Sequence, residues 1–252
     1  MATTITTKAD TLIVLPGEDI TPIIAKYNVD TSTGVSGGGQ VMVGPGLKRE
    51  PNSRIMAVKC GQLINRNNRA FWLDSHFKRY TPSKGDRIVG FVTSKQAYQC
   101  KVDIRSNEVA VLSLLAFPNA TKRNKPPIEV GDAVYAQVIT DCPYVEAELV
   151  CVTSDGKKGG LGVLPNTGYV LTVATDICRQ LLAPDSPILK TLGKRFKFET
   201  AIGMNGNIWI NSGQLDTTLT IVNFIESLEH IPKHQHLARS QQLAEQTFTG
   251  KR

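Results

Sequence analysis

Apolar positions fall into two regimes along the chain. Up to about residue 153 they come as short runs broken by turn residues, and only beyond that point does a spacing of three to four appear. In the first segment, Thr11 to Leu15, Gln40 to Val43, Ile55 to Val58 and Arg69 to Leu73 read as strands. Gly34, Gly37, Gly38, Gly39, Gly44, Pro45 and Gly46 punctuate them, which predicts a small β domain with exposed loops. The polar stretch Asn28 to Gly39 reads as a mobile loop.

The second segment carries an internal echo. Gly85-Asp86-Arg87-Ile88-Val89-Gly90-Phe91-Val92 and Gly131-Asp132-Ala133-Val134-Tyr135-Ala136-Gln137-Val138 share the pattern Gly-Asp-x-[Ile/Val]-x-[Gly/Ala]-x-Val, a turn feeding a strand. Tyr98 to Ile104, Glu108 to Leu112 and Val145 to Val152 complete five short strands, the number an OB barrel needs. Small Gly90 and Ala136 suit tightly curved strands. The two Gly-Asp openings resemble those of an S1 domain.

In the third segment Leu161 to Leu164 and Tyr169 to Val173 bracket Pro165-Asn166-Thr167-Gly168, which predicts a hairpin. Thr175 to Ala183 reads as a helix capped by Thr175, with Ile177, Leu181 and Leu182 on its apolar face. Ile188 to Lys194 follows with Pro187 in its first turn. Phe196 to Asn211 is a second hairpin, because Asn205-Gly206 favours a type I′ turn with φ > 0 at both residues. Gln214 to Leu228 closes the set, its Leu215, Leu219, Val222, Ile225 and Leu228 spaced to pack on a sheet. Without the first hairpin the order is strand-helix-helix-strand-strand-helix, the arrangement of a KH domain. The expected division is an N-terminal β domain over 1–80, an S1-type OB barrel over 81–153, a KH-like α+β domain over 154–232 and a polar tail over 233–252. The fold class is thus multidomain, mainly β with α+β.

Composition narrows the function. A net charge of +7 favours an anionic partner. Leu47 to Arg79 holds eight Lys or Arg residues (Lys48, Arg49, Arg54, Lys59, Arg66, Arg69, Lys78, Arg79) against Glu50 and Asp74, which alone describes a solvated face. No apolar run reaches the roughly 18 to 20 residues of a membrane span, and Leu12 to Leu15 is too short for a signal-peptide core, so the expectation is a soluble protein with no membrane partner. Five scattered cysteines without a Cys-x-x-Cys pair predict reduced, mostly buried thiols.

Several motifs stand together in one order: Val14-Leu15-Pro16-Gly17-Glu18, Gly44-Pro45-Gly46-Leu47, Trp72-Leu73-Asp74-Ser75 with Lys78-Arg79-Tyr80, Ala120-Thr121-Lys122-Arg123-Asn124-Lys125-Pro126, and Gly203-Met204-Asn205-Gly206-x-Ile208-Trp209. They resemble the S1- and KH-domain cap subunits of the RNA exosome, in particular the ribosomal RNA-processing protein 40 family, over nearly the whole chain. The resemblance implies a non-catalytic cap on a ring of RNase PH-like subunits, beside other cap subunits and an associated 3′ to 5′ exoribonuclease, acting on single-stranded RNA in nucleus, nucleolus and cytoplasm. It implies ring contacts by the N-terminal and KH domains, for which Gly44, Pro45, Gly46, Leu47 and Trp72 are candidates. Against the sister cap subunit with the same domain order stand Gly44 to Leu47 and Thr121 to Asn124.

In nucleotide-clamping KH domains a Gly-x-x-Gly loop joins the first two helices. Here that junction reads Leu182-Ala183-Pro184-Asp185-Ser186-Pro187, without glycine. Gly203, Asn205, Gly206 and Trp209 come one element too late and read as a structural turn. RNA contact then falls to the S1 segment: Lys122, Arg123 and Lys125 in a basic loop stiffened by Pro126 and Pro127, with Lys95, Lys101 and Tyr98 in second rank and Phe91 and Phe117 assigned to the core. This favours sequence-tolerant, salt-dependent binding. No catalytic residue, metal site or cofactor is expected. His76, His230, His234 and His236 lack metal spacing, Asp74-Ser75-His76 is mere adjacency, and Asp86, Asp132, Asp141 and Asp155 read as turn residues. A purely structural assembly protein is the competing reading. A phosphorolytic nuclease is disfavoured, since its domain order is reversed and no nuclease domain fits.

Overall fold

The computed structural model describes residues 12–29, 41–66, 68–76, 78–118, 120–121, 123–124, 126–140, 145–153, 159–183, 186–231, 235–236, 238–240 and 242. The expected loop beyond residue 29, Cys142, Asp141, Asp155 and His234 lie outside them. The chain divides into two compact units, 1–76 and 77–252.

The first unit holds β1 (Ile13–Val14), α1 (Thr21–Val29), β2 (Met42–Val43), β3 (Leu47–Arg49), β4 (Ile55–Ala57), β5 (Gly61–Arg66) and β6 (Ala70–Asp74). Its sheet runs β1-β5-β6-β2, and β3 and β4 form a separate ribbon. Val14, Ile20, Ile24, Ile55, Ala57, Phe71 and Leu73 make the core. Three elements escape the sequence pattern: α1, β3 and β5. Helix α1 carries Pro22 in its first turn, and Asp19 Oδ1 accepts the Thr21 N–H at 2.9 Å, so a short helix forms where no element was expected and runs into the first two residues of the expected Asn28 to Gly39 loop. The central strand β5 is half-buried with little alternation, which hides its period.

The second unit begins with a closed barrel of β7 (Arg87–Lys95), β8 (Gln99–Asp103), β9 (Ala110–Ser113), β10 (Ala133–Val138) and β11 (Glu148–Val150), ordered β11-β9-β8-β7-β10 with β10 pairing back to β11. The Gly-Asp echo is the symmetry of one antiparallel pair. Gly85 N–H donates to Val138 O and Val138 N–H to Asp86 O, while Gly131 N–H donates to Val92 O and Val92 N–H to Asp132 O. Each repeat's opening thus binds the other repeat's last valine. Gly85 and Gly131 both take left-handed φ, 92° and 98°. A Cβ on Gly90 would stand 2.8 Å from Asp103 O, so the close strand approach demands glycine there.

Next come β12 (Gly162–Val163), β13 (Tyr169–Thr172), α2 (Thr175–Leu182), α3 (Pro187–Gly193), β14 (Glu199–Ile202), β15 (Asn207–Asn211) and α4 (Leu215–Leu228). The sheet β13-β15-β14 is antiparallel. This is the KH order.

Four expectations are corrected. Leu161 to Leu164 does not pair with Tyr169 to Val173: β12 adds to barrel strand β10 and β13 to β15, because Leu161 is fully buried in the barrel core. Thr175 is not a cap; Ala174 holds that position without a side-chain bond, and Thr175 is the first helical residue. Leu182, Leu215 and Leu219 are exposed at 43%, 73% and 41%. On α4 the buried face passes instead through Thr218, Ile221, Val222, Phe224, Ile225 and Leu228, a stripe that better fits 3.6 residues per turn. Phe91 faces outward at 37% exposure, with Ile88 and Val92 filling the barrel, while Phe117 is buried as expected.

Candidate nucleic-acid interface and the glycine turn

Strand β15 is buried on both faces. Ile208 and Ile210 pack under the helices with Ile177, Leu181, Leu192, Ile221 and Ile225, whereas Trp209 between them packs with Ala201 against Val89 of the barrel. Strand alternation therefore gives the KH sheet one face for its helices and one for β7.

The β14–β15 turn is the polar centre of that contact. Its hairpin differs from a type I′ turn: of Gly203 to Gly206 only Gly206 has positive φ, 90°, and Gly206 N–H donates to Gly203 O at 3.2 Å. The geometry is a type I turn closed by a left-handed glycine. This leaves Asn205 free to point into the barrel, where it is wholly buried. Its Oδ1 accepts the Val89 N–H at 3.3 Å, and its Nδ2 donates to Val89 O at 2.8 Å and Ile104 O at 3.1 Å. Asn207 Nδ2 adds a bond to Val89 O at 2.9 Å, and Met204 N–H donates to Arg87 O at 2.8 Å. The side-chain amides thus satisfy β7 backbone groups that would otherwise be buried without partners.

Gly203 has no room for a side chain, since its Cβ would lie 2.6 Å from Val89 N. Arg105, left-handed at φ 60°, closes the turn's other side, its Nη1 donating to Val173 O at 3.1 Å and Asn205 O at 3.4 Å. Trp209 Nε1 donates to Pro165 O at 3.2 Å, and a Cβ on Gly168 would overlap its indole. Tyr135 Oη donates to Ile202 O at 3.4 Å, with its pKa raised by burial. Lys78 Nζ meets Glu229 at 2.8 Å. The glycine turn is a joint between barrel and KH sheet.

The remaining candidates are dispersed. Lys122 and Lys125 lie outside the described residues; Arg123 between them is exposed, in a turn where Thr121 Oγ1 accepts the Asn124 N–H at 3.0 Å. Lys95 Nζ donates to Ile128 O at 2.7 Å, tying β7 to the segment before β10. Lys101 pairs with Glu146 at 3.6 Å on a half-exposed surface. Tyr98, 60% exposed, caps the β7–β8 hairpin, and Phe91 lies on β7 opposite Asp103 and Ala133. Phe91 was legible by strand alternation, since Ile88, Gly90 and Val92 take the inward positions of β7 and leave Phe91 outward.

Gly44, Pro45, Gly46 and Leu47 pack closely within the first unit, and Trp72 is half-buried on the face of β6 opposite Phe71 and Leu73. Cβ atoms on Gly44 and Gly46 would lie 2.9 Å from Trp72 Cβ and 2.8 Å from Leu73 Cβ, Pro45 O accepts the Leu73 N–H at 3.0 Å, and Leu47 packs on the core. Among the described residues no three His, Cys, Asp or Glu side chains converge on a metal-sized site, and no helix is long and apolar enough to cross a membrane.

Family profiles match all three regions. "Mammalian exosome complex component RRP40, N-terminal" covers residues 12–76, "Exosome complex component RRP40, S1 domain" 80–162, and "KH domain" 168–216. The exosome complex component RRP40 of Mus musculus is 37% identical over 252 residues, covering 92% of this chain and 90% of its own. The chain belongs to the exosome complex component RRP40 family. The Bos taurus member is 40% identical over 213 residues, with coverage of 82% and 77%. A crystal structure described as an exosome complex RNA-binding protein shares the fold at TM-score 0.57 and 21% identity, covering 68% of this chain and 98% of that one. The family's S1 and KH domains are binding modules rather than catalytic ones.

Proposed function

We propose that this chain is a non-catalytic RNA-binding cap subunit of an RNA exosome. It stabilises a ring of RNase PH-like subunits and guides single-stranded RNA into their channel for 3′ to 5′ processing and decay, beside other cap subunits and an associated exoribonuclease. It works in nucleus, nucleolus and cytoplasm. The observation that carries this reading is the match of N-terminal, S1 and KH regions, in order, to one family of exosome components.

RNA contact is assigned to the barrel. The KH helix junction has no glycine, and the glycines of the β14–β15 turn are enclosed by the joint. The outer face of β7 offers Phe91 and the β7–β8 hairpin offers Tyr98 as stacking platforms. Lys122, Arg123 and Lys125 supply phosphate contacts, and Lys101 joins them when its exposed pair with Glu146 opens. Lys95 ranks last, because the Ile128 carbonyl already holds its ammonium.

Purification of the tagged chain from cell extract, with the bound proteins identified by mass spectrometry, tests the assignment. Recovery of RNase PH-like subunits is expected; their consistent absence would overturn it. A purely structural subunit is the second reading, supported by the engagement of Lys95 by the Ile128 carbonyl and of Lys101 by Glu146 on the barrel surface. Ultraviolet crosslinking of RNA to the same purified complex separates the two, since a structural subunit yields no adduct on this chain.

A further inference from the structure

We propose that the β5–β6 end of the first unit is a second contact for the RNA backbone, made by Arg66, Arg69 and Arg49. The inference rests on the RNA-binding reading above and extends it to a domain outside the S1 and KH modules. Strand pairing gathers these residues from an otherwise diffuse basic stretch. Arg66 ends β5 opposite Ala70, Arg69 precedes β6, and Arg69 O accepts the Met42 N–H at 2.8 Å, which brings β2 to the same end. Arg49 reaches that end from the β3–β4 ribbon, with Nη2 donating to Val41 O at 2.8 Å. All three residues are exposed.

The platform is rigid. Asn65 and Asn68 clamp the hairpin reciprocally: Asn65 Nδ2 donates to Asn68 Oδ1 at 2.6 Å and the Asn68 N–H donates to Asn65 Oδ1 at 2.9 Å, with Asn68 left-handed at φ 53°. Among the described residues nothing engages the guanidinium of Arg66 or Arg69. Among the described residues of this unit, the acids other than Glu50 lie elsewhere or are engaged. Asp74 sits at the far end of the hairpin opposite Gln62, Asp19 lies 4.0 Å from Arg54, and Glu18 accepts the Leu15 N–H. Glu50, beside Arg49 in sequence, is the nearest carboxylate along the chain.

Planar guanidinium groups held on a fixed turn suit the bidentate geometry of phosphate oxygens. An acidic protein partner is the weaker match. Asparagines flank the two arginines, and Met42 is the exposed apolar side chain beside them, too small a patch for the core of a protein interface.

Fluorescence anisotropy with the full chain and a labelled oligouridine, titrated with salt, tests this. Each single-strand phosphate contact adds about 0.7 to the slope of log affinity against log salt. Arg66→Ala with Arg69→Ala should therefore lower the slope by about 1.4, while Arg66→Lys with Arg69→Lys keeps most of it. An unchanged slope in the double alanine variant overturns the inference and leaves the barrel assignment standing. So does a variant that loses binding to poly-glutamate but not to RNA. If the wild-type chain binds no RNA, this inference and the RNA-binding reading both fall. The substituted turn is exposed, and an unchanged denaturation midpoint verifies that the variants fold.

Discussion

Asn205 is the residue on which the two halves of the second unit agree. Removing its amide leaves the buried Val89 N–H and Ile104 O without their partner, while Val89 O keeps only Asn207 Nδ2. At roughly 1–3 kcal/mol for each unsatisfied buried group, with partial relaxation, Asn205→Ala should cost about 2–4 kcal/mol in denaturant unfolding. Gly203→Ala should cost about 1–3 kcal/mol by the same measurement, because its Cβ meets the hydrogen-bonded Asn205 amide and the backbone of Val89 and Asn207, none of which can easily give way. The thiols give a sign-checked pH effect. Burial raises Cys151 and Cys178 to about 12 from an ordinary 9.0, so the unfolded chain ionises first. Their contribution to stability is complete below pH 9 and is lost as pH climbs from about 9 to 12. Native labelling at pH 8 with a thiol reagent should modify exposed Cys60 and spare Cys100, Cys151 and Cys178 until the protein unfolds.

At the scale of elements, the Gly-Asp echo and the helix order of the third segment were legible because both are local. The echo marks two strands whose ends bind each other, and the helices are marked by proline and spacing. Gly85 and Gly131 have open space where a Cβ would go, so only their left-handed φ resists substitution. Alanine at either should cost about 1 kcal/mol, and similar costs at both sites would reflect the symmetry of the pair. The turn joining β14 and β15 was legible as a hairpin but not as a joint. Asn205 and Val89 are separated by 116 positions in sequence, and no local pattern encodes such a contact. The same limit explains β12: Leu161 looks like one arm of a hairpin until the barrel core claims it. On α4, leucine identity misled where period did not, and Leu215→Ser should shift stability by less than about 0.5 kcal/mol in the isolated chain.

For the molecule as a whole, a KH sheet that gives one face to its helices and the other to the barrel has no free face for RNA near the Gly203 to Gly206 turn. Binding is left to exposed cations and aromatics, which is a salt-sensitive and sequence-tolerant chemistry. Neutralising Lys122, Arg123 and Lys125 together should reduce the salt slope of RNA binding by about 2, at about 0.7 per phosphate. The measurement that bears most directly on the account reads stability and RNA affinity side by side in Asn205→Ala. The joint predicts a clear loss of unfolding free energy with the RNA affinity of the folded protein unchanged; full stability combined with lost RNA binding would contradict it and return the turn to the nucleic acid.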